Sequence, residues 1–260
     1  MKTLNSSIDV PLFFRRLREA TQNALLLDYD GTLAPFRVDR GRAFPYAGVR
    51  EILEKLVGVS RLRVVIVSGR WIKDLKPLLK LKKRPEIWGS HGMERLRADG
   101  SYEIAKMDEN LLGGLVAVDE WVENAGLIKH AERKPGSIAI HWRGLDPRKV
   151  DEIRNRIEPE WSLIARVWGL TLKEFDGGME LRAGVQNKGD AVKTVLEEMD
   201  REIAAAYFGD DSTDEDAFMA IKGRGIGVLV RNELKPTAAD VWIKPPGELL
   251  QVLHKWLPGE

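Results

Sequence analysis

Residues 24–33 read Ala-Leu-Leu-Leu-Asp-Tyr-Asp-Gly-Thr-Leu, an apolar run that stops abruptly at two carboxylates one residue apart. A run without polar alternation is a strand buried on both faces, and no packing requirement asks such a strand to end in paired acids. Residues two apart on a strand point the same way, so Asp28 and Asp30 leave the strand end side by side. Carboxylates that close repel unless a proton or a cation lies between them, and a hard divalent ion such as Mg²⁺ suits oxygen ligands. Gly31 permits a tight turn, and Thr32 adds a hydroxyl at the same spot. The segment predicts a metal-assisted site at the C-terminal end of a buried strand.

Composition removes several alternatives. With 41 basic and 40 acidic residues the net charge is +1, which argues against nucleic-acid or membrane-surface partners, because both draw on a basic excess. The chain has no cysteine, so disulfides, thiolate metal sites and cysteine nucleophiles are excluded. That usage fits a reducing cytoplasm, the expected location. No run approaches the ~18–20 apolar residues of a membrane span, and Arg15, Arg16 and Arg18 interrupt the stretch where a signal peptide would be apolar. The 260 residues suffice for one large domain or two modest ones, and a monomer is expected.

Along the chain, helical and buried-strand patterns alternate up to about residue 108 and resume from about 181. Strands are expected at 23–29, 62–67 and 87–89, then at 203–208, 227–230 and 241–243, with helices between them. The intervening 109–180 segment reads differently: a helix over 111–124, strands at 127–132 and 137–142, a helix from Asp146 to about Ile157, then strands at 163–168 and 171–175. The whole predicts an α/β fold, a doubly wound, mostly parallel sheet (1–108 and 181–260) with an inserted small α+β cap domain (109–180). Hinges are expected near 107–110 and 177–180.

Polar clusters follow the apolar strands or open a helix, where ligands gather in an open α/β sheet. Besides Asp28-x-Asp30 they are Ser68, Lys188 and Gly209-Asp210-Asp211-x-x-Asp214. Helix capping explains one carboxylate of the last cluster but hardly Asp210, Asp211 and Asp214 together. Ser68 or Lys188 alone would be a turn residue or a surface charge. In this order, with a cation, an ammonium, hydroxyls and carboxylates, the set suits a phosphoryl group. No zinc spacing occurs, and His130 and His254 look incidental. Gly223-x-Gly225-x-Gly227 precedes a strand rather than a helix, unlike a dinucleotide loop. Ser68 lacks the setting of a hydrolase nucleophile.

That order resembles the four motifs of the haloacid-dehalogenase (HAD) type phosphatases: Asp28-Tyr29-Asp30-Gly31-Thr32-Leu33, Ser68-Gly69-Arg70, Lys188-Gly189, and Gly209 to Glu215. More narrowly, the chain is similar to the trehalose-6-phosphate phosphatases. Gly89-Ser90-His91-Gly92-Met93-Glu94, Glu132 to Ser137, His141-Trp142-Arg143 and the full Gly-Asp-Asp-x-Thr-Asp-Glu run carry that narrower likeness. Two positions depart from it: Ala183 stands where that family usually has Pro, and Trp142 where it usually has Tyr.

The resemblance implies a Mg²⁺-dependent hydrolysis of a sugar phosphate through an aspartyl-phosphate. Asp28 would be the nucleophile and Asp30 the acid–base group, with Ser68 and Lys188 holding phosphoryl oxygens. The metal set would be Asp28, Asp30 through its backbone carbonyl, and Asp210, with Asp211 or Asp214 nearby. Thr32, Gly69, Arg70 and His91 fall on the substrate side, and Glu132, Lys134, Ser137 and Glu180 on the sugar. The resemblance also implies a pathway link to a trehalose-6-phosphate synthase. Sucrose phosphate and mannosyl-phosphoglycerate are the alternative substrates, and a non-catalytic phospho-sugar sensor is the alternative outside enzymes.

Overall fold

The computed structural model describes residues 1–175 and 177–259. Among them the strands are β1 (Lys2–Thr3), β2 (Asn23–Leu27), β3 (Leu62–Val67), β4 (Glu86–Gly89), β5 (Glu94–Leu96), β6 (Tyr102–Ile104), β7 (Ala131–Lys134), β8 (Ser137–His141), β9 (Thr171–Phe175), β10 (Gly178–Arg182), β11 (Ala204–Gly209), β12 (Gly225–Val230) and β13 (Val241–Ile243). The helices are α1 (Val10–Glu19), α2 (Val49–Val57), α3 (Ile72–Leu79), α4 (Glu109–Asn124), α5 (Pro147–Trp168), α6 (Lys188–Glu197), α7 (Glu215–Ile221) and α8 (Gly247–His254). The chain divides into two compact units, Met1–Glu103 with the chain from Gln186 onward, and Ile104–Val185.

The first unit holds a sheet in the order β1-β13-β12-β11-β2-β3-β4-β5-β6. The six strands from β13 to β4 run parallel, while β1 and β5 pair antiparallel at either side. β2, β3 and β11 are the apolar runs, and they occupy the centre because helices cover both faces. Leu25, Leu27, Ile66 and Phe208 pack with α1, α2, α3 and α8. Leu26, Val65, Val67 and Tyr207 pack with α6 and α7. Successive residues of each strand thus feed opposite cores, which is why no polar alternation survives. The fold is the doubly wound α/β architecture expected. From β2 the chain winds outward through β3 and β4, then returns to β11 on the other side of β2. The crevice where strand order reverses therefore lies between the C-terminal ends of β2 and β11.

The second unit is α+β, with helix, two strands, helix, two strands in sequence. Its antiparallel sheet runs β7-β8-β10-β9. One face, with Ile138, Ile140, Met179, Leu181 and Leu172, packs on α4 and α5 around the fully buried Trp161. Three expectations are corrected here. Residues 163–168, expected as a strand, continue α5: Ile153, Ile157 and Trp161 form one buried helical stripe, and no turn residue interrupts it before Gly169. The helix expected to end near Ile157 instead runs on through Pro159 to Trp168. Ile128–His130 form a short 3-10 turn before β7, so the strand expected from 127 begins only at Ala131.

The hinge expected near 177–180 falls within or beside β10, which is paired on both sides. The unit extends to Val185, beyond the residue 180 expected. The Ala183 N–H donates to Gly136 O at 2.8 Å and ties this stretch to the small sheet. Proline, lacking that N–H, could not make the bond. Among the described residues no helix is long and apolar enough to cross a membrane.

Candidate active site

Asp28 sits one residue past β2, its N–H donating to Phe208 O on β11 at 2.8 Å. Asp210, one residue past β11, reaches across the turn at Gly31. A Cβ at Gly31 would lie 2.1 Å from Asp210 Oδ2, and the residue has φ +84°, so glycine is required twice over. Asp214 follows on the 3-10 turn leading into α7. Ligand oxygens of Asp28, Asp210 and Asp214 all lie within 4.8 Å of one another, and the three residues are buried.

Lys188 opens α6, whose N-terminus is fixed by reciprocal bonds between Asn187 and Asp190. Its buried ammonium donates to Asp28 Oδ1 at 2.7 Å and to Asp214 Oδ1 at 2.8 Å. Asp214 also accepts from the Tyr207 hydroxyl at 2.5 Å, and its Oδ2 accepts the N–H groups of Asp210 and Asp211 at 3.0 Å each. Burial works against the Asp214 carboxylate, but Lys188, Tyr207 and the backbone donors prevail and hold its pKa below the usual range. Burial likewise opposes the Lys188 charge, and Asp214 and Asp28 overcome it, so the lysine stays protonated.

The other two carboxylates are differently placed. Burial, and then the neighbouring acids, push Asp28 up to about 8 even against Lys188. Burial, then the charges of Asp28 and Asp214, push Asp210 well above the ordinary carboxylate range. Three buried carboxylates face one ammonium, so full ionisation leaves negative charge uncompensated. The donors are hard oxygens alone, and Asp214 is already committed to four donors. The residues therefore fit a divalent cation held chiefly by Asp28 and Asp210.

Two predicted metal residues do not join this set by their side chains. The Asp30 carboxylate is taken by Arg70 in a bidentate pair, Nε to Oδ2 at 2.6 Å and Nη2 to Oδ1 at 2.7 Å. The cation facing Asp30 is thus a guanidinium, and the metal between Asp28 and Asp30 expected from their spacing is not needed to separate them. Asp211 Oδ1 accepts the N–H of Ser212 at 2.7 Å and lies 3.7 Å from Lys235, the bland capping role.

Ser68 is buried at the end of β3, its Oγ accepting the Arg70 N–H at 3.1 Å. Thr32 is buried too, with no hydrogen-bond partner for its hydroxyl. The His91 ring packs on Gly69, where a Cβ would lie 2.5 Å from its Cε1. The His91 N–H donates to Ser68 O at 3.0 Å. Sequence reasoning missed Tyr207, whose only signal was a hydroxyl in an otherwise apolar strand, and Arg231, which donates to Asp210 O at 3.3 Å.

In the second unit the face of the small sheet away from its helices gathers Glu132, Lys134, Ser137 and Glu180. Lys134 Nζ lies 2.6 Å from Glu180 Oε1 and 3.8 Å from Glu132 Oε2. The Ser137 hydroxyl donates to Glu180 Oε1 at 2.8 Å. Ala139 lies opposite both Glu132 and Glu180 in the register, leaving room between the two acids. His141, not singled out as a site residue from sequence, joins through Nε2 and Glu132 Oε2 at 2.9 Å, with its ring against Phe175.

A family model described as trehalose-phosphatase matches residues 26–241. An Arabidopsis thaliana protein named "Probable trehalose-phosphate phosphatase H" is 30% identical over 275 residues, covering 96% of this chain and 76% of its own length. A crystal structure titled as a trehalose-6-phosphate phosphatase related protein superposes with a TM-score of 0.72 at 25% identity, covering 89% of this chain and 96% of that one. A phosphatase of the haloalkanoate (HAD) superfamily from Bacteroides thetaiotaomicron shares the fold with a TM-score of 0.61 at 17% identity, over 91% of this chain and 95% of its own.

Proposed function

Because the chain belongs to the trehalose-phosphatase family, we propose that it hydrolyses trehalose 6-phosphate to trehalose and inorganic phosphate through an aspartyl-phosphate. The observation that carries the reading is the convergence of Asp28, Asp210 and Asp214 at the strand-order reversal, with one buried ammonium, Lys188, bonded to Asp28 and Asp214.

Asp28 attacks phosphorus in line and the bond from phosphorus to the sugar oxygen breaks. Asp30 gives its proton to the departing oxygen, then takes one from the water that attacks the acyl phosphate and frees Asp28. Lys188 and Ser68 hold phosphoryl oxygens, the ammonium balancing charge as it spreads over them. Asp214 keeps Lys188 aimed and charged. Asp28, the Asp30 backbone carbonyl and Asp210 would hold Mg²⁺, which when bound supplies charge neutralisation at the phosphoryl oxygens. Thr32, Gly69 and His91 line the phosphate side in this reading. Glu132, Lys134, Ser137 and Glu180 are assigned to the sugar hydroxyls, and the unit that carries them is the cap.

The test is phosphate release from a panel of trehalose 6-phosphate, sucrose phosphate and mannosyl-phosphoglycerate, each with Mg²⁺ and with EDTA. Turnover is expected on the first, lost in EDTA and abolished in Asp28→Asn with the circular dichroism spectrum retained. Near-normal turnover by Asp28→Asn removes the covalent mechanism. Preference for another panel member removes trehalose 6-phosphate but keeps the chemistry. No release from any substrate leaves a non-catalytic sensor.

A further inference from the structure

Asp30 opens a tight turn, Gly31 N–H to Ala34 O at 2.7 Å, and no bond of that turn holds its carboxylate. Arg70 sets it. The guanidinium grips both oxygens in fork geometry, and the fork is itself fixed from three sides. Nη1 donates to Arg40 O at 2.9 Å, the Arg70 backbone N–H donates to Ser68 Oγ at 3.1 Å, and the Tyr29 ring lies 5.6 Å from Cζ. The Arg70 side chain is 5% exposed and that of Asp30 27%. The arginine is the rigid partner, and the carboxylate is the one solvent reaches.

We propose that Arg70 is the positioning residue for the acid–base carboxylate Asp30, rather than a ligand of the substrate. The proposal rests on the reading of Asp30 as the proton-transferring group. Arg70 stays protonated throughout, and each carboxylate oxygen keeps a second lone pair beyond the one Arg70 occupies. A proton can thus arrive and leave while the fork holds. A displacement of about 1 Å at a reacting group costs roughly 10²-fold in rate, so an unclamped Asp30 transfers protons slowly even when its chemistry is intact.

The decisive readout is leaving-group dependence. A sugar alkoxide needs a proton as it departs, whereas p-nitrophenolate does not. For Arg70→Met we expect kcat on the sugar phosphate to fall about 10²-fold, the lower end of general acid–base contributions, with KM within about threefold. The pre-steady-state burst of p-nitrophenolate from p-nitrophenyl phosphate, which reports only formation of the aspartyl-phosphate, should change far less, whereas hydrolysis of that shared intermediate slows for both substrates. Arg70→Lys keeps the charge but not the fork, so it should behave like Arg70→Met, and it carries the same readouts if the methionine variant does not fold. The Asp30→Asn/Arg70→Met double variant should be no slower than Asp30→Asn alone, because removing the clamp has no further effect once its client is gone.

A KM rise with kcat retained makes Arg70 a substrate ligand and overturns the proposal. So does a loss in the p-nitrophenolate burst as large as that in first-step release of the sugar, or losses that add in the double variant. Wild-type protein and Asp28→Asn are assayed alongside. Failure of those two controls removes the functional reading itself, whereas normal controls with the wrong Arg70 pattern remove only the clamp.

Discussion

Asp28 shows how one residue's environment serves chemistry at the expense of stability. In chelator its folded pKa stands near 8 against 3.8 for the free group, because of burial first and neighbouring acids next. Between about pH 4 and pH 8 the folded protein keeps a proton that the unfolded chain has lost, so this group makes stability fall as pH rises through that window. Above about 8 the effect is flat. Asp28→Asn has nothing to titrate there. Its melting temperature in EDTA should therefore gain on wild type steadily from pH 4 to 8, and Mg²⁺ should narrow the gap by favouring the ionised carboxylate. A gap independent of pH would contradict the account.

At this scale the sequence was informative where chemistry sits on a strand end. Asp28 and Asp210 were legible because an apolar run ends in acid for no packing reason. The Asp30–Arg70 fork and the Tyr207–Asp214 bond were not. Which arginine meets Asp30 depends on the side-by-side pairing of β2 and β3, a tertiary fact that no local pattern encodes.

Among the elements, α6 is anchored at both ends. Its N-terminus presents Lys188. At its other end Glu198 accepts from Arg95 at 2.6 and 2.8 Å and from Arg63 at 2.6 Å, while both arginines also reach Glu86 on β4. The hydrogen bonds from Arg95, opposed by burial and helped by Arg63, lower the Glu198 carboxyl to about 2 from 4.5. Its stabilisation is complete above about pH 4.5 and is lost as pH falls towards 2. With a third of the side chain exposed, solvent screening leaves it on the order of 1 kcal/mol. Glu198→Gln should lower the unfolding free energy from urea titration at pH 7 by that amount, with the difference shrinking below pH 4.5 and vanishing near 2. A difference unchanged at pH 2 would mean that packing, not charge, is what the glutamate supplies.

Element types were readable where one signal dominated, as in the apolar run of β3 and the helical stripe of α2. The strand expected at 163–168 failed because Leu-Ile-Ala-Arg-Val-Trp suits a half-buried strand as well as a helix. Only the stripe at 153, 157 and 161 decides between them, and Pro159 draws the eye away from it.

For the whole molecule, the alternation of helices and apolar strands on either side of a differently patterned insert was enough to give a doubly wound sheet with a second unit. The limits of that unit were less visible, because Ala183 looks like an ordinary linker residue until its N–H is seen bonded to Gly136. The unit has its own core, with Val118, Ile140, Ile157, Trp161 and Leu181 fully buried. Residues 104–185 made alone should therefore melt cooperatively by circular dichroism, with tryptophan fluorescence following the same curve. A non-cooperative melt would show that the core depends on the rest of the chain.

The placement of β11 beside β2 has a consequence for biogenesis. The apolar β2 is made well before the strand that completes one of its two sides, residues 204–209. At about 5–20 residues per second the nascent polypeptide carries that open edge for on the order of ten seconds or more. Such an edge is a template for pairing with other chains until β11 closes it.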